Sequence, residues 1–210
     1  MSHWVWVSGG AHRLGREICL AFARAGWSVV VHCRDSHQAA HEVADQCRAL
    51  GVAARVVQAD LCDPRQTRDM CRGLQADPGT GLRCVVNNAS LFLPDTAHDF
   101  DDEQALAHAH GSHQVGLPLG QMLAAIHRGS AQPDASLIHI LDQKVFNLNP
   151  DYFSYTLSKL ALHQPVALQA QALAPVVRVN ASPGLVVCQR PADRGKLPRR
   201  RPCQFVASAR

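Results

Sequence analysis

Trp4-Val5-Trp6-Val7-Ser8-Gly9-Gly10-Ala11-His12-Arg13-Leu14-Gly15 is the stretch on which the fold turns. Four apolar residues open it and read as a buried strand. Gly9, Gly10 and Gly15 then allow a tight turn and a close backbone approach, and the next helix offers its N-terminus to a pyrophosphate. Within that helix Leu14, Ile18, Ala21, Phe22 and Ala25 form the stripe expected to be buried, and Gly26 is expected to end it.

The same alternation continues downstream. Strands are expected near 4–8, 28–33, 54–58, 83–87, 136–141 and 176–180, and helices near 13–25, 37–50, 64–74, 102–109, 112–128 and 152–173. Six strands in βαβ order predict an α/β fold, a doubly wound Rossmann-type parallel sheet with helices on both faces. In such a sheet the ligand crevice lies at the C-terminal ends of the strands. Pro165 inside the last helix removes a backbone hydrogen bond, so a kink is expected there.

Tyr155 and Lys159 stand four residues apart and share one helix face. A neighbouring ammonium favours the phenolate, so Lys159 is expected to lower the Tyr155 pKa and make it a usable proton donor to a carbonyl or imine. Asp142, thirteen residues before Tyr155, closes the fifth strand. The end of the second strand reads His32-Cys33-Arg34-Asp35-Ser36. Arg34 and Arg13 offer guanidinium forks to a 2′-phosphate and Ser36 a hydroxyl, which favours NADPH over NADH. Asp35 argues the other way, since it suits a ribose hydroxyl or a helix cap.

Ser8-Gly9-x-x-x-Arg13-x-Gly15 resembles the Thr-Gly-x-x-x-Gly-x-Gly motif of the short-chain dehydrogenase/reductase family, with Ser for Thr and Arg for the middle Gly. Asp60-Leu61, Asn87-Asn88-Ala89-Ser90, Tyr155-x-x-x-Lys159 and Asn180…Pro183-Gly184 come in the family's order. The resemblance is nearest to the pteridine reductase and dihydromonapterin reductase branch, through Gly10-Ala11-His12-Arg13-Leu14-Gly15-Arg16, Asn87 to Phe92 and the Asp142, Tyr155, Lys159 set. It implies a cofactor site of Gly9, His12, Arg13, Leu14, Gly15, Arg34, Ser36, Asp60, Leu61, Asn88, Ala89, Ser90, Tyr155, Lys159, Pro183 and Gly184. It implies that Asp142, Tyr155 and Lys159 are catalytic. Arg13, Ser90, Phe92 and Tyr155 would meet the substrate, Phe92 stacking on a pterin ring. The implied activity is an NADPH-dependent reductase acting on a C=N or C=O bond of a small, pteridine-like substrate. The alternatives are a generic carbonyl reductase and a catalytically impaired dinucleotide-binding remnant. The family's relay Asn, counted four residues back from Pro118, falls on Gln114, with His113 beside it. The resemblance further implies a homo-oligomer formed through the helices at 112–128 and 152–173.

Apolar residues make up 47% of the 210-residue chain, enough for a packed core. No run of about 18 apolar residues occurs, so no membrane span is expected. The chain enters a strand at once, leaving no room for a signal peptide, and its eight cysteines form no CxxC pair. We therefore expect reduced thiols, no metal site and a cytoplasmic protein.

Six Arg and one Lys against one Asp make residues 188–210 +6, so the total of +4 leaves the rest near −2. The body gives no reason to expect nucleic acid as a partner. The family pattern stops after Pro183-Gly184-Leu185. Residues 1–187 are expected to form the dinucleotide-binding and catalytic domain, without the family's seventh strand. Residues 188–210 are expected to be a basic tail, either disordered or the product of a shifted reading frame.

Overall fold

The computed structural model describes residues 3–77, 81–129 and 135–184. The expected tail at 188–210, the domain limit at 187 and the missing seventh strand lie outside these residues. Within them the chain runs β1 (Trp4–Val7), α1 (Arg13–Arg24), β2 (Ser28–Cys33), α2 (His37–Ala49), β3 (Ala54–Gln58), α3 (Pro64–Gln75) and β4 (Leu82–Asn87). It continues through α4 (Asp102–His108), a π-helical segment (Ala109–Gln114), α5 (Gly116–Ile126), β5 (Ala135–Asp142), a short 3-10 turn (Gln143–Val145), α6 (Phe153–Leu173) and β6 (Val177–Gly184).

The six strands form one parallel sheet in the order β3-β2-β1-β4-β5-β6. The order reverses between β1 and β4, and in open α/β sheets a ligand crevice opens at that point. Strands covered on both faces read as unbroken apolar runs, as Val29-Val30-Val31 does. Alternate residues feed two cores. Trp6, Val30, Val85 and Leu137 pack with Leu119 and Leu123 of α5 on one face. Val5, Val7, Val29 and Val31 pack with α1 and α2 on the other.

Helix α1 ends as its glycine predicts. Gly26 has φ +82° and lets Trp27 N–H reach Phe22 C=O at 3.0 Å and Gly26 N–H reach Ala23 C=O at 3.0 Å. The Phe22 and Trp27 rings meet edge to face across this cap, the apolar contact that accompanies such a helix end.

The buried face of α1 differs from the expected stripe. Gly15, Cys19, Leu20 and Ala23 are buried, Ile18 and Phe22 are partly so, and Leu14, Ala21 and Ala25 face solvent. Gly15 sets this face: a β-carbon there would drive into the Gly9 backbone carbonyl. Small side chains one turn apart then let the helix lie close to the sheet.

The expected helices at 102–109 and 112–128 are one rod. The π-helical segment joins α4 directly to α5. Helix α6 continues through Pro165 to Leu173.

Candidate active site

Ser8 fastens the crevice. Its buried hydroxyl accepts from the backbone N–H groups of Asn88 and Ala89, both at 2.7 Å, while its carbonyl accepts from Asn88 Nδ2 at 2.8 Å. The end of β1 is thereby tied to the end of β4. On the other side, His32 Nδ1 accepts from Gly9 N–H at 3.2 Å and its Nε2 donates to Ala59 C=O at 3.0 Å. Burial pushes the His32 pKa down to about 4, so the ring stays neutral and keeps both bonds.

Between these anchors lies a cleft of about 210 Å³. Gly9, His12, Arg34, Ser36, Asp60, Leu61, Ala89 and Ser90 line it, eight of the expected cofactor residues. Gly9 has φ +61°, and a β-carbon on it would crowd Ala89 at 3.2 Å. The cleft floor is thus bare backbone, which suits a pyrophosphate pressed against the start of α1. Arg13 and Leu14 are exposed at that helix start, Leu14 at 39%. Arg13 occupies the left-handed region at φ +47°, where a glycine would be unstrained. Arg34 donates through Nε to Asp35 Oδ2 at 2.6 Å, so Asp35 holds the guanidinium and does not cap α2.

The expected catalytic residues converge at the ends of β5 and α6. Tyr155 OH donates to Asp142 Oδ2 at 2.7 Å, and Asp142 Oδ1 accepts from Lys144 N–H at 2.9 Å. One carboxylate therefore caps the turn after β5 and grips the phenol. Lys159 is buried, donates to Ile140 C=O at 2.9 Å, and lies 5.8 Å from the centre of the Tyr155 ring. Pro183 and Gly184 of β6 pair with Leu141 and Asp142.

The pKa expectation for Tyr155 is overturned. Burial, then the hydrogen bond to Asp142 and its charge, push the phenol well above its ordinary value. Lys159 is pulled down to about 8 by burial, partly offset by Asp142. Proximity along a helix said nothing about burial or the carboxylate, the two causes that raise the Tyr155 pKa.

Phe92 is 52% exposed and stands at this site's mouth. Its ring stacks on Tyr152 at 4.0 Å with a 9° interplanar angle and meets Tyr155 edge-on at 4.7 Å. Tyr152 escaped the sequence reading because its backbone is left-handed, φ +57°, which no pattern of ordinary residues announces. Ser90 Oγ lies 3.1 Å from Ser112 Oγ, a second residue the sequence did not offer.

Gln114 does not enter the site; it is exposed on the outer groove beside Pro118 and Gln121. Counting back from Pro118 in α-helical steps crosses the π-helical segment, which slips the frame. The buried polar residue of that segment is Ser112. His108, one step before it, is fully buried near the Tyr155 ring with neither ring nitrogen hydrogen-bonded.

The sequence model described as short chain dehydrogenase matches residues 3–194. An uncharacterized oxidoreductase of Mycobacterium tuberculosis (strain CDC 1551 / Oshkosh) is 34% identical over 189 residues, 86% of this chain and 68% of that protein. A dihydromonapterin reductase of Klebsiella pneumoniae subsp. pneumoniae is 25% identical over 188 residues, 87% of this chain and 74% of that protein. The crystal structure of FolM alternative dihydrofolate reductase 1 from Brucella canis, complexed with NADP, is similar at a TM-score of 0.76 and 36% identity, covering 85% of this chain and 71% of that one. The chain spans 68%, 43% and 64% of the length of the first three curated relatives. A family match over nearly all the described residues, together with a parallel sheet that gathers Asp142, Tyr155 and Lys159 at the end of β5, leads to one conclusion: this chain belongs to the short chain dehydrogenase family of oxidoreductases.

Proposed function

We propose that residues 1–187 form an NADPH-dependent reductase that acts on a C=N or C=O bond of a small pteridine-like molecule. The Tyr155–Asp142 hydrogen bond of 2.7 Å carries this reading. It supplies a phenol that stays protonated through the ordinary pH range, which suits reduction, where an acid must be loaded before hydride arrives.

Gly9, His12, Arg34, Ser36, Asp60 and Ser90 would hold the dinucleotide along the cleft, with Arg13 at the helix start. When bound, it supplies the hydride. Arg34 and Ser36 would receive a 2′-phosphate, and the NADP complex of the Brucella canis relative supports that choice. Lys159 would hold the nicotinamide ribose.

With Asp142 ionised, the phenol hydrogen points at the carboxylate, away from substrate. A proton taken up by Asp142 reverses that bond. Asp142 then donates to the phenol oxygen and frees the Tyr155 O–H. As the substrate nitrogen or oxygen takes the Tyr155 proton, the Asp142 proton replaces it, and a proton taken from solvent reloads the carboxylate. No buried tyrosinate has to stand beside a carboxylate. Phe92, backed by Tyr152, would present an aromatic surface to a flat heterocycle. Arg13 and Ser90 would hydrogen-bond it.

The test is NADPH oxidation by the purified protein with dihydrobiopterin, against a Tyr155→Phe control. Turnover lost in the control supports the reading. Tight NADPH binding without turnover on dihydrobiopterin moves it to a generic carbonyl reductase or a binding remnant. Self-association is the companion proposal: Leu117 of α5 and Leu157 and Leu168 of α6 are exposed, and a dimer would cover them. Sedimentation velocity reports it directly.

A further inference from the structure

A buried polar chain lies behind the site, and His139 is its centre. The ring is 0% exposed, on β5, three residues before Asp142. Gln169 Nε2 donates to Gly116 C=O at 3.0 Å, which leaves Gln169 Oε1 to accept from His139 Nε2 at 2.9 Å. The proton is therefore on Nε2. The bare Nδ1 accepts from Asn87 Nδ2 at 3.2 Å, and the same amide donates to Ser112 C=O at 3.2 Å. Every donor in the chain meets an acceptor only if the imidazole is neutral.

These bonds join β5 to four other elements. Asn87 ends β4 and directly precedes Asn88 and Ala89, which Ser8 grips. Ser112 lies in the π-helical segment with its hydroxyl on Ser90. Gly116 opens α5, and a β-carbon on it would sit 2.7 Å from His139 Cε1. Gln169 is on α6, the helix that carries Tyr155 and Lys159. Asn87, Ser112 and Gly116 bring no charge to the ring; burial disfavours a second proton on it, and the Lys159 ammonium, on α6, adds to that effect.

We propose that neutral His139 is a positioning residue: through Asn87 it holds Ser112 against Ser90 and so shapes the nicotinamide end of the cleft. This rests on the reading that the cleft binds NADPH. His139 touches no ligand. Its acceptor nitrogen is what matters, because losing it leaves the Asn87 amide hydrogen buried without a partner. An Asn at 139 places a carbonyl near the Nδ1 position and retains that acceptor; a Leu fills the space and does not.

The experiment compares wild type, His139→Asn and His139→Leu by calorimetric titration with NADP+, alongside thermal melts and a long-range 1H–15N correlation of the histidine rings. The expected NADP+ affinity of His139→Asn is within about threefold of wild type, and that of His139→Leu is weaker by about tenfold or more. The correlation spectrum should give His139, assigned by its loss in the Asn variant, as the Nε2–H neutral form at pH 7. Equal affinities for Asn and Leu, or an Nδ1–H or doubly protonated ring, overturn the inference. Wild type that fails to bind NADP+ while the ring shows the expected form refutes the functional reading instead. If His139→Leu does not fold, Asn87→Leu breaks the same bond by removing its donor and is expected to show the same tenfold loss; unchanged affinity there also overturns the inference.

Discussion

Asp142 and Tyr155 share a 2.7 Å hydrogen bond that adds to burial in holding the phenol protonated. Replacing Asp142 by Asn removes the charge and keeps the shape. The Tyr155 pKa is then expected to fall but to stay above its ordinary value, because burial remains, and the change is visible in the phenolate absorbance of an alkaline titration. Turnover is expected to drop by about 10²-fold, because the relay has lost its reloading acid. An Asp142→Asn enzyme with unchanged kcat would refute the relay.

Lys159 carries the pH dependence. Its folded pKa of about 8 lies below the unfolded value of about 10.4, so below pH 8 the folded state holds a charge that burial disfavours. The unfolded chain binds more protons between those two values, and stability should rise with pH across that window. Lys159→Met should therefore raise stability at pH 7 by about 2 kcal/mol, with the gain shrinking above pH 8. In the wild type kcat/KM should fall as pH rises through about 8, when the ammonium that binds the ribose is lost. Melts and rate profiles from pH 6 to about 10 read both effects.

Arg13 stands where a glycine would relax the backbone. Arg13→Gly is expected to stabilise the fold by about 1 kcal/mol through release of left-handed strain. It should also weaken NADPH binding by about tenfold through loss of a guanidinium–phosphate contact. A thermal melt and a titration on the same sample would separate the two effects.

Ser8→Ala leaves the Asn88 and Ala89 N–H groups without their acceptor. A loss of about 2 kcal/mol is expected, with Ser8→Thr close to wild type because the hydroxyl survives. Urea melts of the pair test this; equal loss in both variants would assign the effect to packing.

Much of the fold was legible because two periods and a handful of glycines dictate it. A buried parallel strand must be apolar throughout, and Gly9, Gly15 and Gly26 stand where a close approach or a positive φ demands them. The α1 face was misread because hydrophobicity alone ranked Leu14 above Gly15, whereas the steric demand at Gly15 turned the helix. The site's main members were legible from order along the chain. Its electrostatics were not, since burial and the Asp142 bond are properties of three dimensions. His32 and His139 could have been found: a histidine inside an apolar central strand has to be paired, and that need points to neighbours at strand ends.

The π-helical segment at 109–114 has a consequence for how this chain tolerates changes in length. A turn that holds one more residue than an α-turn rotates the downstream helix by about 100° relative to the upstream one. The half of the rod carrying His108 and the half carrying Gly116 are therefore set against their neighbours independently, like two scales of unequal pitch. Deleting one residue of the segment would yield a regular helix whose two halves still face their neighbours but whose bulge, the part that carries Ser112, is flattened. The fine alignment of Ser112 with Ser90 is thus written in the number of residues along the rod as much as in their identity, and a shortened helix would misplace this wall of the cleft even with every side chain of the site retained.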